Sequence, residues 1–187
     1  MTDARNKMIE GAARLLAERG LQETSFSEVL ALTGAPRGSI YHHFPDGKEQ
    51  LVGEALELAG GRALALLEST RGRSAVEVAE YFFEMWRTLL VRADFRIGCS
   101  VVAVTVATDS ADLGAATAAV FRSWRVLLAE LLTVGGVPDA EAPGLAAAII
   151  AGSEGAVVLS RAERSIEPFE LVAARLVADV RRASAPA

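Results

Sequence analysis

Gly34-Ala35-Pro36-Arg37-Gly38-Ser39-Ile40-Tyr41-His42-His43-Phe44 decides how the rest of the chain is read. Gly34 stops one helix, and Pro36 pre-sets the first turn of the next, where its missing N–H costs nothing. Ile40 and Phe44 lie one helical turn apart and anchor one side of that short helix. Arg37, Ser39, Tyr41 and His42 supply a cation, two hydroxyls and an imidazole to the other side. A helix built this way can lie in a DNA major groove while a small hydrophobic core holds its back. His43 follows His42 directly and so points about 100° away, toward a structural hydrogen bond as readily as toward DNA.

The flanks extend the pattern. A first helix is expected from about Asp3 to Arg19, with Ile9, Ala12, Ala13 and Leu16 at helical spacing and Gly20 as its stop. Ser25 and Glu28 read as a capping box that starts a second helix ending at Gly34. Pro45-Asp46-Gly47 breaks the third helix, and Asp46 is placed to cap a long fourth one from Lys48. Helix, Gly-containing turn, helix is the order of a helix-turn-helix. Val29, Leu16 and Leu51 join Ile40 and Phe44 in its small core.

Beyond Arg71-Gly72-Arg73 the chain reads as a larger apolar helical body. Ser74 and Glu77 make a second capping box, before Ala79, Phe82, Phe83, Trp86 and Leu90 on one face. Leu113, Val120, Trp124, Leu127 and Leu131 mark another helix, ended by Gly135-Gly136. An Ala-rich helix follows from about Asp139 to Arg161. The last carries Phe169, Val172, Ala173, Leu176, Val177 and Val180. Val101 to Val106 is β-branched, yet it is read as helix because no other segment offers it a strand to pair with. The fold class is therefore all-α, about nine helices in all.

Composition narrows the function. The 187 residues are 51% hydrophobic with a net charge of −5, which disfavours a broad, non-specific coat on nucleic acid but leaves a site-specific reader open. The apolar runs at 101–107 and 145–151 are read as too short to cross a bilayer. The start shows no charged-then-apolar leader, so the protein is expected to be cytoplasmic, with no membrane partner. The single cysteine, Cys99, precludes an internal disulfide and argues against structural zinc. Both histidines sit in the reading head, and no Gly-rich phosphate loop follows a strand. The expectation is a protein that is not an enzyme, with no cofactor and no metal.

The first fifty-odd residues resemble the TetR family of bacterial transcriptional repressors. The matching residues are Gly20, Thr24-Ser25, Glu28-Val29, Gly34, the run from Arg37 to Phe44, and Lys48-Glu49-Gln50-Leu51. The wording from Ala35 to Pro45, with Gly98-Cys99 later, looks like the LmrA/YxaF-type branch. Leu30 and Pro36 depart from the common pattern, which has a small residue at the first and Ser or Thr at the second. The resemblance implies a helix-turn-helix DNA-binding domain over 1–50 and a ligand-binding and dimerisation domain over 51–187. It also implies a homodimer on a palindromic operator, released by a small apolar or aromatic effector.

On that reading Arg37 takes a guanine edge, and Ser39 and His42 share its exposed side. Tyr41 can pack its ring on the core while its hydroxyl meets a phosphate, and Lys48, Thr24 and Ser25 meet phosphates near helix starts. Phe82, Phe83, Trp86, Phe121 and Trp124, with Cys99, are the candidates for the effector pocket. Cys99 reads first as a small buried hydrophobe. The dimer surface is assigned to the last two helices, at Ile149, Ala156, Phe169, Val172, Leu176 and Val180. The alternative is an all-helical small-molecule-binding protein or enzyme whose amino-terminal helices merely pack.

Overall fold

A computed structural model describes residues 2–185. The described residues form α1 (Thr2–Arg19), α2 (Phe26–Thr33), α3 (Arg37–His43), α4 (Lys48–Glu68) and α5 (Ala75–Arg92). They continue through α6 (Ser100–Thr105), α7 (Ala111–Val134), α8 (Ala142–Glu163) and α9 (Glu167–Ala183). The all-α expectation holds, and the β-branched run at 101–106 is helical through Thr105.

The helix boundaries follow from local chemistry. Gly34 takes φ +67°, a left-handed conformation that costs a glycine little, and its N–H closes α2 on the Leu30 carbonyl. At Ser74 both halves of the capping box form: its hydroxyl accepts the Glu77 N–H, and Glu77 accepts the Ser74 N–H. At Ser25 only the first half forms. The Glu28 carboxylate instead accepts from Arg19 at 2.9 Å, tying α2 to α1. Before α4, Gln50 Oε1 accepts the Asp46 N–H, so the side chain from inside the helix reaches back to the turn where an Asp46 cap was expected.

Contacts divide the described chain into two compact units. The first holds residues 2–62 and 99–121. Here α1 packs on α2, α3 and α6. Met8, Leu16, Val29, Ile40, Phe44, Leu51 and Leu56 are fully buried in its core. Arg5 bonds Glu54 at 2.6 Å and lies over the Phe44 ring, 5.3 Å from its centre.

The second unit holds residues 63–98 and 122–185, where α5, α8 and α9 pack on one another. Phe83 meets Phe82 and Phe169 edge-on, with ring centres 5.6 and 5.8 Å apart. A Cβ on Gly152 would sit 2.6 Å from Leu176 Cδ1, so α8 and α9 approach as closely as a glycine allows. Arg87 spans α5 and α9 through a two-point bond to Glu170, one leg at 2.7 Å. Ser160 Oγ, deep on α8, has no hydrogen-bond partner among the described residues.

α8 bears on one expectation. The run at 145–151 is short, but within the 22-residue helix an apolar stretch reaches a mean hydropathy of 1.6 and meets the length and composition of a membrane span. A core helix meets the same test. One side of α8, from Ala146 through Ile149, Ile150 and Ser153 to Val157, is buried, and the helix packs on α9 and α5.

Candidate nucleic-acid interface

The reading helix α3 divides cleanly in two. Ile40 and the following Phe44 are fully buried. Arg37, Gly38, Tyr41 and His42 are exposed, and Tyr41 retains 68% of its surface. Among the described residues no carboxylate pairs with Arg37. By contrast Arg5, Arg14 and Arg19 are paired with Glu54, Glu18 and Glu28. The neutralised cations account for the weak overall field of the head, and the one at the start of α3 stays available to a ligand.

The other expected contacts are more committed. Ser39 is half-buried and its hydroxyl donates to Pro36 O at 2.7 Å, closing the first turn of α3. Ser25 Oγ caps α2 and lies 2.8 Å from the exposed Ser27 hydroxyl. Lys48 is half-buried and its Nζ donates to Leu21 O at 2.7 Å, which ties the start of α4 to the turn after α1. Thr24 is 1% exposed, and its hydroxyl donates to Gly20 O at 2.8 Å. The resemblance sets Thr24 beside the duplex, but the geometry spends its hydroxyl on the end of α1. His43 is half-buried, its ring edge-on to both His42 and Phe44, with centres 5.4 and 6.4 Å apart.

Two residues at this surface were not singled out from sequence. Ser27 adds a hydroxyl beside Ser25, and Phe26 meets the Tyr41 ring edge-on, centres 5.5 Å apart at 83°. An aromatic opening a helix is an available signal, but spacing alone does not pair it with a ring on another helix.

The effector candidates are only partly gathered. Phe82 and Phe83 touch, while Trp124 is buried and Trp86 half-buried, all in the second unit. Cys99, buried, and Phe121, half-buried, belong to the first unit. A groove of about 580 Å³ runs between α5 and α9 with Phe83 in its lining. Its rim is charged, with Arg73, Glu77, Glu80, Glu84, Arg87 and Glu170. An apolar ligand expects a different wall.

The dimer candidates also divide. Ile149, Ala156, Phe169 and Val180 are buried within the chain itself. Val172 and Leu176 are half-buried and approach Gly152 of their own chain. They supply the internal packing of α8 on α9. The residues left outward are Ala148, Ala151, Gly155, Val158 and Leu159 on α8, with Leu171 on α9. They recur every three or four positions along α8.

Comparison with known proteins identifies the family of the chain. Residues 8–55 match the family described as bacterial regulatory proteins, tetR family. Residues 75–175 match the one described as transcriptional regulator LmrA/YxaF-like, C-terminal domain. An uncharacterized HTH-type transcriptional regulator of Mycobacterium tuberculosis is 38% identical over 179 residues, covering 92% of this chain and 91% of that protein. The HTH-type transcriptional regulator YxaF of Bacillus subtilis is 30% identical, covering 96% of each. In fold, the regulatory protein TetR from Rhodobacter sphaeroides superposes with a TM-score of 0.80 at 24% identity, over 93% of this chain and 97% of that one. These relatives are transcriptional regulators, and the enzyme alternative falls with them.

Proposed function

Because the chain belongs to the TetR family of transcriptional regulators, with a C-terminal region of the LmrA/YxaF-like type, we propose that it is a ligand-responsive repressor binding a palindromic operator as a homodimer. The observation that carries the reading is α3: an exposed Arg37 that no carboxylate of the described residues pairs, with exposed Tyr41 and His42, backed by buried Ile40 and Phe44. Arg37 reads guanine O6 and N7, and His42 reaches a neighbouring base or phosphate. Tyr41 and Ser25 meet phosphates, with Lys48 and Ser39 supporting at the edge of the contact.

The outward face of α8, with Leu171 of α9, meets its own copy. Ala148, Ala151 and Gly155 let two helices approach closely, and Val158 and Leu159 supply apolar area. Two-fold symmetry then spaces two reading helices for successive major grooves. A small apolar or aromatic effector that prefers the DNA-free state releases the operator, and Phe82, Phe83, Trp86 and Trp124 of the second unit are its candidate contacts. The protein works in the cytoplasm.

Selection of bound fragments from genomic DNA tests the proposal. A single palindromic motif is expected, shifted in a gel by the protein and released by an aromatic ligand. No fragment enriched over random duplex at physiological salt overturns it.

A further inference from the structure

We propose that Phe26 is a positioning residue for DNA binding, acting through Tyr41. The proposal rests on the reading of Tyr41 as a phosphate contact. Phe26 is the first residue of α2, and Tyr41 lies in the middle of α3. Their rings meet edge to face, centres 5.5 Å apart and planes at 83°. Tyr41 is otherwise largely in solvent, at 68% exposure.

A tyrosine that exposed samples several side-chain rotamers, and binding must freeze one. The Phe26 contact selects one rotamer before DNA arrives, because edge-to-face packing is favourable only over a narrow range of ring positions. Tyr41 as a whole stays 68% exposed beside it. The Phe26 contact also joins the opening turn of α2, where Ser25 and Ser27 hold their hydroxyls 2.8 Å apart, to the exposed face of α3. Phe26 thus orders the contact residue without itself touching the duplex.

The test is a double-mutant cycle of Phe26→Leu and Tyr41→Phe, read by fluorescence anisotropy on a random-sequence duplex at low salt. Such a duplex reports phosphate contacts without knowledge of the operator. Tyr41→Phe is expected to weaken binding about tenfold, and Phe26→Leu about threefold. The double variant should bind no worse than Tyr41→Phe alone. Phe26→Trp should restore affinity by restoring an aromatic partner.

Additive losses overturn the proposal and leave the Tyr41 contact standing. No loss in Tyr41→Phe overturns both. Scalar couplings of Tyr41 in the wild-type protein give an arm that needs no variant to fold. One dominant rotamer is expected, and averaging among rotamers overturns the proposal.

Discussion

Arg37 offers five N–H donors at the first turn of α3, and among the described residues no carboxylate claims them. Arg37→Ala is expected to remove about 1–3 kcal/mol of discrimination between operator and random duplex. The melting temperature should stay unchanged, since the side chain is exposed. Competition binding and a thermal melt together check this. Lys48 behaves differently, because Nζ is already bonded to the Leu21 carbonyl. Lys48→Met keeps the stem and loses that bond, and a stability loss of about 1–2 kcal/mol by denaturant titration is expected. Sequence spacing identified Arg37 and His42 as outward because α3 has one clearly apolar side, whereas Tyr41, its ring expected on the core, is 68% exposed. It did not reveal that Thr24 and Lys48 spend their polar atoms on carbonyls of the α1–α2 turn. Those partners are fixed by where the chain folds back, which no local pattern records.

At the scale of elements, α5 and α9 are joined by the bridge from Arg87 to Glu170. The Arg87 hydrogen bond holds the Glu170 carboxyl below its ordinary value of 4.5, partial burial opposes this, and the Arg87 charge adds to it. A carboxyl depressed in the folded state contributes stability that is complete above its unfolded value and is lost as pH falls through the folded one. Glu170→Gln should therefore lower the melting temperature at pH 7, and the deficit should shrink as pH falls below 4.5. With Glu170 42% exposed, solvent screening keeps the effect below about 1 kcal/mol. The helices themselves were readable because their ends carry chemistry of their own: Gly34, Ser74 with Glu77, and Gly135. The sides of α8 and α9 were less readable. Periodicity marks Ile149, Phe169 and Val180 as apolar, but it does not say whether the partner is the next helix or another subunit. The structure gives them to the next helix.

For the whole molecule, that reassignment moves the expected subunit contact to the outward residues. Leu171 is 66% exposed on α9. Leu171→Glu is expected to give a monomer in sedimentation velocity at micromolar protein. Operator affinity should fall by about a hundredfold or more, because the second half-site is no longer tethered to the first. A dimer surviving that change would move the interface elsewhere.

Ser160 carries a last consequence. A buried oxygen with no partner among the described residues forfeits the hydration it would enjoy in an unravelled chain. Trading it for a methyl group, Ser160→Ala, should make the protein hardier by about 1 kcal/mol, visible as a higher melting point. The Ala-rich helix thus holds back a reserve of robustness that one small edit would release.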